Sequence, residues 1–159
     1  MWAYRATIQS RNLEPPAHSR LARPAVLAGA QESTISSPAH RAPNGERIIL
    51  CHDDRRVVSF ATAVLRRAGY HVFQAYDGLA TYGLALELPG VRLLIINTQL
   101  GKMDGLELID HVRKDLPSVA LLHLGTAPED MRRLPPDVPN LAEPFTAEQL
   151  LAAVGPLLR

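Results

Sequence analysis

Leu93-Leu94-Ile95-Ile96-Asn97, followed closely by Gly101-Lys102-Met103-Asp104-Gly105, is the stretch on which the fold turns. Four consecutive large apolar residues without polar alternation read as a strand buried on both faces, as in parallel sheets covered by helices. The Gly and Asp positions that follow carry turn chemistry. Asn97 therefore closes a buried strand at its carboxyl end, where open α/β sheets hold their ligands. The setting is that of a carboxylate, yet the side chain offered is an amide.

Outward from there, strand and helix patterns alternate with short connections from Arg47 onward, as in a parallel sheet wrapped by helices. Ile48 to Cys51 form a short apolar run that ends at the acidic pair Asp53-Asp54. Val57, Ala61, Val64, Leu65 and Ala68 then recur at helical spacing until Gly69 supplies the stop. Tyr70 to Ala75 read as a second strand, Asp77-Gly78 as a turn, and Leu79 to Leu88 as a second helix closed by Pro89-Gly90. After Gly105, the residues Leu106, Ile109, Val112 and Leu116 share a helix face that Pro117 ends. A fourth strand covers Ala120 to Leu124. Pro128, Pro135, Pro136 and Pro139 leave room for only a turn or two of helix around Glu129 to Leu134. A short fifth strand near Leu141-Ala142 leads to Pro144-Phe145. In the last helix Thr146 and Gln149 make a capping box ahead of Leu150, Leu151, Val154 and Leu158. The expected architecture is a doubly wound α/β domain over residues 46–159, with five parallel strands and a shortened fourth helix.

Residues 1–45 differ in composition. They hold five of the thirteen prolines and five Arg against two acidic residues, with no sustained period. Such a segment buries too little apolar surface to offset its conformational entropy, so a disordered N-terminal arm is expected. Trp2 and Tyr4 are the only candidates there for a short docking motif. The Arg-bearing stretch from Arg20 to Ala30 faintly mimics a secretory leader, but Pro24 interrupts its apolar part.

With 159 residues, 47% of them hydrophobic, the chain has material for one domain with a sizeable core. No run is long enough to span a membrane, and the lone Cys51 has no internal disulfide partner, so a cytoplasmic location is expected. The net charge is +1, and the Arg pairs 55-56, 66-67 and 132-133 are dispersed rather than gathered in a stripe, which argues against nucleic acid as a partner. Neither a nucleophile-base pair, nor a phosphate-binding Gly-rich loop after strand one, nor a zinc spacing is present, so no enzyme is indicated.

Several local patterns resemble the receiver domain of bacterial response regulators: the acidic cluster after strand one, Ala68-Gly69-Tyr70, Ala75-Tyr76-Asp77-Gly78, Met103-Asp104-Gly105-Leu106-Glu107-Leu108, and Pro144-Phe145 before the last helix. The resemblance implies a flavodoxin-like sheet of strand order 2-1-3-4-5. It also implies a phosphorelay switch, in which a histidine kinase phosphorylates an aspartate ending strand three. Magnesium held by two acidic residues after strand one assists. A Ser or Thr ending strand four, a Lys before the last proline and an aromatic residue on strand five complete the family's switch.

Carried onto this chain, the scaffold positions match and the working positions do not. The acceptor position falls on Asn97. The acidic pocket falls on His52, Asp53 and Asp54, and the switch positions fall on Gly125, with Thr126 one place late, and on Asn140. The lysine position is Glu143. An acyl phosphate cannot form on an amide without loss of its nitrogen, so Asn97 is expected not to accept phosphate. With Asp53 the one carboxylate retained for magnesium, no resident cofactor is expected beyond weak binding of that ion. One arrangement has the His52 imidazolium pairing with Asp53 or Glu143 in place of metal and lysine; in another, His52 and Glu143 are partly exposed and do not touch. A zinc or manganese site on His52, Asp53 and Glu143 is a further alternative. His71, His111 and His123 read as ordinary histidines.

Two functions are in play. One is a stand-alone receiver-like adaptor of two-component signalling, unphosphorylated at the usual site, which acts by contact with a histidine kinase or downstream effector and dimerises, if at all, through its first and last helices. The other is a phosphate-dependent regulator with Asp53 or Asp54 as acceptor, both on the wrong loop for in-line transfer.

Overall fold

The computed structural model describes residues 45–159, so the expected N-terminal arm lies outside the described residues apart from Gly45. Strands and helices alternate as β1 (Arg47–Cys51), α1 (Arg55–Arg67), β2 (His71–Ala75), α2 (Gly78–Glu87), β3 (Val91–Ile96), α3 (Gly105–Asp115), β4 (Ala120–Leu124), α4 (Pro128–Arg133), β5 (Asn140–Leu141) and α5 (Ala147–Leu157). The sheet is parallel throughout, in the order β2-β1-β3-β4-β5. The architecture is the one expected, including a fourth helix of only six residues.

Helices cover both faces of the sheet, which is why its central strands carry no polar alternation. On one face Ile48, Leu50, Leu93, Ile95, Leu122 and Leu124 pack with α1 and α5. On the other, Ile49, Leu94, Ile96 and Leu121 pack with α2 and α3. Leu93 to Ile96 are all fully buried, and each such side chain contributes about 1.5–3 kcal/mol relative to exposure.

Some expected faces turn by one residue. In α1 the buried set is Val58, Ala61, Thr62 and Leu65, with Val57 and Val64 at the margin. Thr62 is tolerated because its hydroxyl accepts a hydrogen bond from Gln74 at 2.8 Å. In α3 the core side chains are Leu108, Ile109 and Val112, and Leu106 is only partly covered. β5 begins at Asn140, one residue earlier than expected, because Asn140 pairs with His123. The capping box is formed: Thr146 Oγ1 accepts from the Gln149 N–H at 3.2 Å, and Gln149 Oε1 accepts from the Thr146 N–H at 2.8 Å.

Register brings the site together. Cys51 pairs with Ile96, Ile96 with His123, and His123 with Asn140. Those residues form one row across the carboxyl edge of the sheet. The residues just beyond, His52 after β1, Asn97 after β3 and Gly125 near the end of β4, therefore emerge side by side.

Candidate functional site

Asn97 sits at the centre of that edge, its own N–H bonded to the Cys51 carbonyl. Its carboxamide is read from both ends. Nδ2 donates to Asp53 Oδ1 at 2.9 Å, and Oδ1 accepts from the Gln99 N–H at 3.1 Å. One donor and one acceptor are both used, which suits an amide and not a carboxylate. The backbone here is held close by α3. A Cβ on Gly105 would lie 2.2 Å from the Asn97 carbonyl oxygen, so only glycine fits at that approach.

His52 is buried and touches Glu143: Nε2 lies 2.6 Å from Glu143 Oε1. Two contacts compete at its other nitrogen. The Asp54 N–H points at Nδ1 from 2.9 Å, and Asp53 Oδ1 stands 3.0 Å away. A backbone N–H can only donate, so Nδ1 presents a lone pair and the ring proton is on Nε2, given to Glu143. The expected pair with Glu143 is formed, and the Asp54 N–H at Nδ1 favours the tautomer that carries its proton on Nε2. With that proton committed to Glu143, the 3.2 Å approach of Asn97 Nδ2 to Nε2 is a contact rather than a bond. Asp53 draws its hydrogen bond from Asn97 instead.

Asp54 faces away. Its carboxylate caps α1, accepting the Arg56 N–H at 2.8 Å and pairing with the Arg56 guanidinium at 3.0 Å. That side-chain hydrogen bond, with the backbone one beside it, holds the Asp54 carboxyl below its ordinary value. Magnesium is usually held through one or two carboxylates with retained waters, and Asp53, the carboxylate beside Asn97, already has one oxygen engaged by that amide. A transition metal fares no better, since Glu143 and Asp53 lie against opposite nitrogens of the imidazole and do not converge on one point. Cys51, just beneath, is fully buried, and burial pushes its thiol up to about 11, so it is a core residue rather than a nucleophile.

Gly125 and Asn140, the positions expected for the switch, both lie against a residue that the sequence presents as ordinary. His123 is fully buried, with Nδ1 2.7 Å from Asn140 Oδ1. A Cβ on Gly125 would meet His123 Cε1 at 2.9 Å. An imidazole thus fills the space between Gly125 and Asn140. The bond Glu143-Pro144 is cis.

Thr98 and Asp130 were not legible in the sequence as site residues. Thr98 Oγ1 is 2.6 Å from Asp130 Oδ2 and 3.3 Å from Asn97 Oδ1. A hydroxyl has a single proton, and the shorter, charge-assisted bond to Asp130 takes it. Arg133 adds a longer pair to Asp104 at 3.8 Å. Together they tie α4 to the loop after β3. Thr98→Val is expected to strip Asp130 of its donor, which costs about 1–2 kcal/mol, and to speed amide exchange across residues 128–138 while leaving β3 unchanged. Hydrogen exchange followed by mass spectrometry checks this; unchanged rates in α4 would show that the tie does not hold the helix.

Known proteins share this arrangement of scaffold. The DNA-binding dual master transcriptional regulator RpaA of Synechocystis is 31% identical over 119 residues, 71% of this chain and 49% of that protein. Chemotaxis response regulator CheY4 of Vibrio cholerae superimposes with a TM-score of 0.65 at 24% identity, covering 71% of this chain and 98% of that one. The chain has the receiver fold and matches response regulators in sequence over that fold. A second receiver protein, from Sinorhizobium medicae, gives a TM-score of 0.66 at 22% identity over 74% of this chain and 97% of that one. The transcriptional regulatory protein CusR of Escherichia coli is 29% identical over 117 residues. This receiver chain spans about half the length of the curated relatives it matches. No family model matches it. Among the described residues no helix is long and apolar enough to cross a membrane.

Proposed function

We propose that this receiver is a non-enzymatic signalling module of a two-component system that takes no phosphate at its usual acceptor position and transmits by protein contact. A single observation carries this: the Asn97 amide is committed at both ends, to Asp53 and to the Gln99 N–H. The Glu143–His52 pair stands where the family has lysine and a metal-binding carboxylate. An anionic oxygen nucleophile is therefore missing, and so is the cationic clamp that steadies a transferring phosphoryl group.

The alternative acceptors have little to recommend them. Asp54 is occupied as a helix cap, and Asp53 is turned toward Asn97. A histidine kinase or a downstream effector remains the kind of partner that fits, with the location in the cytoplasm.

The deciding experiment is incubation with acetyl phosphate and magnesium, followed by intact mass, with Asn97→Asp in parallel. Unmodified wild type alongside an unmodified or phosphorylated Asn97→Asp supports contact-based signalling. A wild-type adduct labile to hydroxylamine, localised to Asp53 or Asp54, overturns it.

A further inference from the structure

The second helix has an outer face that the described residues leave exposed. Between Gly78 and Leu86 it carries no charged side chain, whereas α1 and α3 both turn charged residues outward. Leu79 is 55% exposed and Leu86 52%. With Gly83 they form a stripe at i, i+4, i+7, within about 60° of arc on the helix. A Cβ added at Gly83 would meet no atom within 4 Å, so the middle of the stripe is an open notch between two leucines. Exposed apolar side chains gathered in this way mark interaction surfaces, whereas scattered ones do not.

The charges at the two ends select the occupant. Lys102 stands at the amino end of α2, 3.6 Å from the capping Asp77 and largely exposed. Arg55 lies close by, over the exposed Tyr76 ring at 5.7 Å. The carboxyl end bears the exposed Glu87. A two-fold axis through Gly83 would lay a second α2 antiparallel on the first, setting each Leu79 against the partner's Leu86 across the paired glycines. It would also bring each Lys102 toward the partner's Glu87 and oppose the two helix dipoles favourably.

From this self-complementarity we infer that the α2 face is a docking surface for a second copy of this chain. The inference is independent of whether Asn97 is ever phosphorylated. One helix of about 15 Å buries less than the roughly 800 Å² per partner of a stable complex, so the dimer belongs to the transient class, with a dissociation constant on the order of 100 μM.

Sedimentation equilibrium of the full chain from about 5 to 500 μM brackets that value. The wild type is expected to show a reversible monomer–dimer equilibrium that Leu86→Arg weakens by about tenfold or more. Phe60→Asp, on the α1–α5 face, is expected to leave it unchanged. Glu87→Lys and Lys102→Glu are each expected to weaken it and the pair together to restore it, a pattern particular to the antiparallel arrangement. All four positions are exposed or half-exposed, and circular dichroism verifies that each variant is folded. A monomer at every concentration overturns the inference and leaves the face to another protein's helix. A dimer that Phe60→Asp dissolves and Leu86→Arg does not, or charge reversals that fail to compensate, overturns it equally.

Discussion

Asn97→Asp is expected to give a protein that is less stable than the wild type in the absence of divalent ions and that regains most of the loss in millimolar magnesium. The aspartate would set an oxygen where Nδ2 now donates to Asp53 Oδ1 at 2.9 Å. A hydrogen bond to a charged group, about 1.5–3 kcal/mol, would be exchanged for a repulsion. Two unit charges about 3 Å apart repel by roughly 5 kcal/mol at an effective dielectric of 20. Asp53 is about half exposed, with 52% of its side chain accessible, so solvent and a small rotation relieve much of that. A net loss of about 2–3 kcal/mol is expected, which lowers the melting temperature by roughly 10 °C.

Magnesium reverses the sign of the contact because two adjacent carboxylates supply the hard oxygens it requires. In the wild type one of those oxygens is an amide nitrogen, and magnesium is expected to shift melting by no more than about 1 °C. Thermal denaturation of both proteins with and without 10 mM magnesium chloride, roughly the range in which such sites fill, makes the comparison. A variant as stable as the wild type in chelator would mean that the Asn97–Asp53 bond contributes nothing.

The fold was legible because buried parallel strands leave a coarse trace: Leu93 to Ile96 need no partner information to be read as a core strand. The place of Asn97 at the carboxyl end of β3 was legible for a related reason, since the turn at Asp104-Gly105 bounds the loop that follows it. What the sequence concealed depends on rotation and on long-range approach. Whether Val57 or Val58 faces the sheet turns on one helical step. Asp130 reaches Thr98 only because a six-residue helix folds back over the loop after β3. Nothing within thirty residues of Thr98 in either direction marks that contact. His123 looked ordinary because its partner, Asn140, joins it through the β4–β5 register.

Charge was the harder quantity to read. A histidine between two carboxylates invites the imidazolium, and the composition of the pocket favours it. A main-chain donor argues for the neutral ring, because the Asp54 N–H points at Nδ1. One backbone hydrogen, which no composition count includes, thus weighs against the doubly protonated ring.

A neutral His52 ring would make Glu143→Lys and Glu143→Gln behave very differently. Glutamine keeps an oxygen acceptor for the Nε2 proton, so Glu143→Gln is expected to cost less than about 1 kcal/mol; a true imidazolium would make it a broken buried ion pair, at about 3–5 kcal/mol. Lysine has no acceptor at all. It would press an ammonium on the ring N–H of a residue only 2% exposed, and the unsatisfied donor together with the lost bond is expected to cost about 2–4 kcal/mol. His52→Asp alone should be costly for the opposite reason, since a third carboxylate would join Asp53 and Glu143 at the place of a spacer. Combined, His52→Asp and Glu143→Lys put an acid beside an ammonium, and the double variant is expected to be more stable than either single one, with a coupling of at least about 2 kcal/mol. Urea denaturation of the four proteins gives the cycle directly. Additive losses would show that His52 and Glu143 are neighbours without being partners, and the proposed exchange of lysine for glutamate would then have no counterpart across the site.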